Sequence, residues 1–196
     1  MKSAWGTNSV NYDAWNHLIA YYNQNTGQSY MVVNGVKGSV LTGITHDEGP
    51  GKLRLGGPHH GGHTPDVCVA SVKVYDHELS SAEVSAAYQA SGAAATKLFE
   101  VAASDWNGSG NWNAKTGQTV TKGGSPTKTS FGGQQCVNIN QDGEYFEYNI
   151  NIGPQSMPIL TMETTVWVNS RANNRGWLMG DEDTGCDRYI LIHDDR

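Results

Sequence analysis

The sequence predicts an all-β chain: a two-sheet antiparallel sandwich with one short α-helix. Three observations predict it. Charged residues make up only 16% of the 196 residues, while Gly reaches 24, and six Trp and nine Tyr supply apolar area. Short runs of strand-forming residues alternate with turn signals along the chain. A helix start is well specified at one place only, after Leu79.

The first half reads as strands from Trp15 to Tyr22, Ser29 to Val33, Lys52 to Gly56 and Val67 to Tyr75. Asn34-Gly35 sits between Val33 and Val36, a hairpin signal because both turn positions need positive φ. Ser80 is placed to cap a helix and Glu83 to complete a capping box, with Leu79 and Val84 as a hydrophobic staple. The helix should run from Ser81 to about Tyr88. A small-residue, uncharged stretch from Ala90 to Thr96 reads as a linker. Strands resume at Lys97–Val101, Cys136–Asn140, Glu144–Tyr148, Leu160–Val168 and Asp187–His193. Asp142-Gly143 gives a second hairpin signal, between the strands on either side of it.

Several function classes are excluded. No apolar run approaches ~18 residues, so no membrane span is expected. The N-terminal residues Met1 to Gly6 have no apolar h-region, so no signal peptide is expected there. The net charge of -6, without a basic cluster, argues against nucleic acid. Cys68, Cys136 and Cys186 are an odd number at wide spacing, which is neither a disulfide framework nor a zinc ribbon. Each is read as a small apolar filler of a strand, with one disulfide among them as the alternative.

Residues 14–88 resemble the second half of a laminin-G-like, concanavalin-A-like jelly roll. Trp15-Asn-His-Leu-Ile-Ala-Tyr, Met31-Val-Val-Asn-Gly-Val, Leu53-Arg-Leu-Gly-Gly57 and the strand-to-capped-helix block Val72 to Val84 carry the resemblance. Residues 97–196 are similar to the first half of the same fold, through Leu98 to Trp112, Phe131-Gly-Gly, Cys136-Val-Asn-Ile-Asn, Glu144-Tyr-Phe-Glu and Met162 to Val168. The order of the halves is inverted. The resemblance therefore implies a single permuted jelly roll over 1–196: 1–91 as the back half, 92–96 as linker and 97–196 as the front half. Half of one tandem repeat joined to half of the next is the other reading, as is exchange of halves between neighbouring chains.

Four groups of residues have the chemistry of a site. Asp181, Asp183 and Asp187 lie in an acidic turn with Gly185, which suits calcium's demand for several oxygens. Family members often bind calcium at the sandwich rim. His59, His60 and His63 offer imidazoles to a transition metal but no evident fourth ligand. Trp106 and Trp112 in a Gly/Asn loop, with Trp5 and Tyr12 in another polar stretch, are candidates for stacking on sugar rings. Asn107-Gly-Ser109 is a glycosylation acceptor triplet in an expected surface loop, of consequence only in a secreted chain.

Catalytic signals are poor. Sandwich glucanases of the resembled fold carry closely alternating carboxylates on one strand, whereas Met162-Glu-Thr-Thr-Val-Trp holds the single Glu163. No Gly-x-Ser-x-Gly or His-Glu-x-x-His is present. The chain is accordingly expected to be a non-enzymatic extracellular or surface recognition module for a glycan or protein, with calcium as its cofactor. Neighbouring repeats of a parent protein are expected partners. The alternatives are a structural repeat in a surface layer, filament or virion, and a degenerate glycan hydrolase.

Overall fold

A computed structural model describes residues 9–45, 49–57, 65–89, 96–169, 176–181 and 188–192. The elements are β1 (Ala14–Asn23), β2 (Gln28–Val33), β3 (Val36–Lys37), β4 (Lys52–Gly56), β5 (Val67–Tyr75), α1 (Ser81–Tyr88) and β6 (Phe99–Ala102), then a 3-10 turn at Ala103–Asp105. They continue as β7 (Val120–Gly123), β8 (Thr127–Phe131), β9 (Gln134–Ile139), β10 (Tyr145–Asn151), β11 (Ile159–Val168), β12 (Gly176–Asp181) and β13 (Tyr189–Ile192).

The strands form two antiparallel sheets. The larger has the order β3-β2-β1-β11-β5-β9-β8, with β6 also paired to β5. The smaller has the order β13-β12-β4-β10-β7. Strands from both sides of the 90–95 segment therefore share each sheet. β11 lies between β1 and β5, and β4 lies between β12 and β10.

Period-two alternation decides which side chains enter the core. Leu18, Ala20, Val72, Val74, Met162 and Val166 of the large sheet meet Leu53, Leu55, Phe146, Tyr148 and Met179 of the small one in one buried cluster. Alternate residues of the large sheet point the other way, to its outer face. Part of that face is itself covered. Ile19, Tyr21, Tyr30, Val32, Tyr75 and Leu79 form a second buried cluster, with Val84 of α1 packed against it.

The capping box forms as the sequence predicts. Ser80 Oγ accepts from the Glu83 backbone N–H, and the Glu83 carboxylate accepts from the Ser80 backbone N–H at 2.8 Å. The helix runs Ser81–Tyr88. Asn34 (φ 51°) and Gly35 (φ 80°) make the expected tight turn from β2 to β3.

The second hairpin expectation is corrected. β9 belongs to the large sheet and β10 to the small one, so the turn at Asp142-Gly143 carries the chain between sheets. The Glu144 carboxylate, buried at the corner, accepts from the backbone N–H groups of Asn140 and Gln141 at 3.0 and 3.1 Å. Those two bonds satisfy the backbone donors that a ladder would have used. The tight hairpin of this half is instead β8 to β9, through Gly132 (φ 54°) and Gly133 (φ 80°).

The expectation for the cysteines is corrected too. Cys68 of β5 and Cys136 of β9 are joined in a disulfide, with Cα atoms 5.4 Å apart. The bridge ties a strand from before the 90–95 segment to one from after it. Cys186 lies outside the described residues.

Candidate functional site

The outer face of the large sheet holds the residues with recognition chemistry. Register builds it in rows. Trp15, Trp167, Cys68, Asn138 and Thr127 stand opposite one another on β1, β11, β5, β9 and β8. The next row is His17, Thr165, Ser71 and Ala102; the next is Val32, Ile19, Glu163, Lys73 and Glu100. α1 and the turn before it cover the end nearest Tyr75 and reach the His17 row, where the Tyr88 ring lies 6.0 Å from the imidazole. The Trp15 row lies beyond.

There Trp15, Trp167 and Phe131 form an aromatic platform above Cys68, Ala70 and Cys136, each ring keeping part of its surface in solvent. Phe131 and Trp167 stack with centroids 5.1 Å apart at 10°. Trp15 meets Trp167 edge-on at 5.8 Å. The indole hydrogen bonds hold the rings in place. Trp15 Nε1 donates to the Phe131 carbonyl, and Trp167 Nε1 to Asn169 Oδ1, each at 3.1 Å. Asn169 Nδ2 in turn donates to Asp66 Oδ1 at 2.7 Å. Asn138 and the exposed Thr127 line the same row. Aromatic rings beside amides, hydroxyls and a carboxylate suit the two-sided chemistry of a sugar, with apolar C–H faces and polar hydroxyls.

Under the edge of α1 lies a charged cluster. Glu163 is 2% exposed. Its Oε1 accepts from Lys73 Nζ at 2.6 Å and stands 3.2 Å from His17 Nε2, while its Oε2 accepts from the Tyr75 hydroxyl at 2.6 Å. Burial alone raises this carboxyl, but the His17 hydrogen bond, the Lys73 charge and the hydrogen bonds from Lys73 and Tyr75 outweigh it and hold it at about 2. Burial and the facing carboxylate push the Tyr75 phenol well above its usual range, so it remains a donor. A carboxyl that stays ionised at neutral pH has no proton to give a leaving group.

Between the β2–β3 turn and α1 runs an open groove of about 510 Å³, lined among others by Tyr30, Val36, Lys37, Glu78 and Tyr88. Tyr30 donates to Glu78 Oε1 at 2.8 Å, and Lys37 Nζ sits over the Tyr30 ring.

The sequence-derived ligand residues fall elsewhere. Trp106 and Trp112 are 3% and 0% exposed and belong to the core, which corrects their reading as an exposed stacking pair. Both meet the Phe146 ring edge-on, and their indole N–H groups are spent on the carbonyls of Ser109 and Ala102. The Gly/Asn loop looked like a display surface, yet its indoles close one end of the sandwich. Tyr12 is partly buried and packs against the same core. Trp5 lies outside the described residues, as do Asp183, Asp187, His59, His60 and His63.

Asp181 ends β12 fully buried, and its Oδ1 accepts from the Arg188 backbone N–H at 3.3 Å. Among the described residues, no group of three His, Cys, Asp or Glu is placed to hold a metal ion. Likewise, no described helix is long and apolar enough to cross a membrane.

The sequence reading missed Trp15 and Trp167 as site residues because both lie inside strands. Their signal was parity. Each alternates with the core residues of its strand, Leu18 and Ala20 on β1 and Val166 and Val168 on β11, so each points to the outer face.

Fold and face together define a two-sheet antiparallel sandwich with an aromatic outer face. Residues 2–85 match the laminin-G-like family model of the concanavalin A-like lectin/glucanases superfamily. That segment is thus similar to a laminin-G-like, concanavalin-A-like domain, and the two antiparallel sheets with one helix are consistent with such a sandwich. Among the curated proteins and the solved structures, none matches the chain. The family is one of carbohydrate- and protein-binding modules in general; its laminin-G-like members are generally non-catalytic, and the superfamily also includes glycanases.

Proposed function

We propose that the chain is a non-catalytic, extracellular recognition module that binds a glycan on the outer face of its large sheet. The observation that carries this reading is the platform of Trp15, Trp167 and Phe131, part-exposed beside Asn138, Asn169 and Asp66. The Cys68–Cys136 disulfide supports an oxidising compartment, since such bridges persist chiefly outside the cytosol. The state of Glu163 supports a binding role over glycan hydrolysis, because its three partners leave it ionised and occupied.

Calcium belongs to the same reading. Asp181 gives a fixed start to the acidic segment, from which Asp183 and Asp187 would supply the remaining carboxylates. The interleaving of strands from 14–75 and 99–192 supports a single closed jelly roll of permuted order. It also favours a second reading, a structural repeat, because the same complementarity lets one chain's half complete its neighbour's.

Glycan-array binding of the full chain, with calcium and with chelator, tests the function. Trp167→Ala and Trp15→Ala should each weaken the strongest array signal at least tenfold, about 1.4 kcal/mol. Binding equal to the parent chain in both variants would reject the platform. No binding to any glycan by the folded parent chain would favour the structural reading.

A further inference from the structure

The loop after the 3-10 turn presents one side-chain amide to solvent. Asn107 is exposed, and its Oδ1 accepts two hydrogen bonds from Ser109, from the backbone N–H at 3.0 Å and from the hydroxyl at 3.3 Å. Its Nδ2 donates to no described residue. Gly108 between them has φ 89°, so the turn suits a residue without a side chain. The root of the loop is fixed. Trp106 is buried, its Nε1 donates to the Ser109 carbonyl at 3.1 Å, and Lys128 Nζ donates to the Trp106 carbonyl.

We propose that Asn107 Nδ2 is an attachment site for an N-linked glycan. Asn107-Gly108-Ser109 is the one Asn-x-Ser/Thr triplet in the sequence. In the folded loop the hydroxyl of its third residue, Ser109, donates to the amide oxygen. In the transfer, Asn107 Nδ2 bonds to the anomeric carbon of a lipid-diphosphate-linked oligosaccharide. The bond from that carbon to the diphosphate oxygen breaks, its electron pair leaving with the lipid diphosphate, and one amide proton passes to a base of the transferase. The product keeps Oδ1 free to accept both Ser109 bonds, so no hydrogen bond of the fold is lost.

Two further observations support the site. The Cys68–Cys136 disulfide points to the oxidising compartment in which such transfer occurs. The loop also lies away from the proposed glycan-binding face. Gly108 approaches the Lys128 side chain, and Lys128 shares its row with Val137 and Val69, which point into the core. Phe131 of the platform has the opposite parity on the same strand. A glycan on Asn107 would leave the platform open.

The test is secretion of the full chain, behind an added leader, from a host with an oligosaccharyltransferase, read by intact mass. The expected result is a glycan-sized mass increase that a peptide-N-glycosidase removes, leaving Asp at position 107. Asn107→Gln and Ser109→Ala should abolish it, and Ser109→Thr should keep it. Lys115→Thr, which places a second triplet at the exposed Asn113, serves as the positive control. Disulfide-bonded chain that is unmodified at Asn107 while Asn113 of the control is modified would overturn the proposal. That outcome would leave the glycan-binding reading untouched, because the array experiment measures a different face.

Discussion

The Tyr75 hydroxyl donates a 2.6 Å hydrogen bond to Glu163 Oε2, a diagonal contact between β5 and β11. With Lys73 and His17 on the other oxygen, it keeps a buried carboxylate charged. The consequence for stability has a sign. The carboxyl sits at about 2 in the folded chain, below its ordinary value of 4.5. Its contribution is therefore fully present above about pH 5 and is lost as the pH falls toward 2. A shift of this size corresponds to about 3 kcal/mol at neutral pH. Urea unfolding at pH 7 and pH 3 should show Glu163→Gln destabilised by about that amount at pH 7 and by much less at pH 3. An equal loss at both values would disprove the linkage.

The disulfide makes its own prediction. It closes a loop with a sequence separation of 68 residues. Loop-closure entropy assigns a bridge of that span about 4 kcal/mol, chiefly by constraining the unfolded chain. Cys68→Ala with Cys136→Ala should lower the urea midpoint accordingly. The same bridge reports on assembly. In a closed monomer, a non-reducing gel gives a single chain-sized band; exchange of halves between chains would give a covalent ladder that collapses on reduction.

Removing the helix cap should have a smaller effect. Ser80→Ala deletes the acceptor for the Glu83 N–H and one partner of the Glu83 carboxylate. A loss of about 1 kcal/mol is expected. Hydrogen exchange should localise it to α1 and to the Leu79 cluster beneath. Unchanged exchange in α1 would show that tertiary burial alone holds the helix.

Calcium is checked by melting. If Asp181, Asp183 and Asp187 hold the ion, stability rises as RT ln(1 + [L]/Kd), about 1.4 kcal/mol at ten times Kd. Asp183→Ala should remove the rise without lowering the melting point of the calcium-free chain. Superimposable curves in millimolar calcium and in chelator would reject the site.

Local chemistry was legible in the sequence; side and partner were less so. The Ser80/Glu83 box, the Asn34-Gly35 turn and the alternation along β4 are encoded within a few residues, and the structure follows them. β12 carries no such signal, because Trp177, Leu178 and Met179 are all buried and show no alternation. Asp142-Gly143 fixed a turn but not the sheet that the chain enters next, which depends on Glu144 folding back onto Asn140 and Gln141. The site was harder still. Trp106 and Trp112 stand among Gly and Asn, and sequence neighbours suggest exposure, yet Phe146 and Tyr148 from a distant strand bury them. Trp15 and Trp167 are 152 positions apart in sequence and meet only because β1 pairs with β11.

The position of β11 between β1 and β5 bears on how the protein is made. Both flanking strands leave the ribosome before β11 is translated. From Tyr75 to Val168 are 93 residues, roughly 5–20 s of synthesis at ordinary elongation rates. Through that interval β1 and β5 each present a ladder of unpaired backbone groups, and β4 waits likewise for β10 and β12. Long-range antiparallel pairing of this kind also makes for slow folding once the chain is released. The nascent chain therefore exposes strand edges of the kind that holding factors shield, and its yield should depend on such shielding more than the stability of the finished sandwich would suggest.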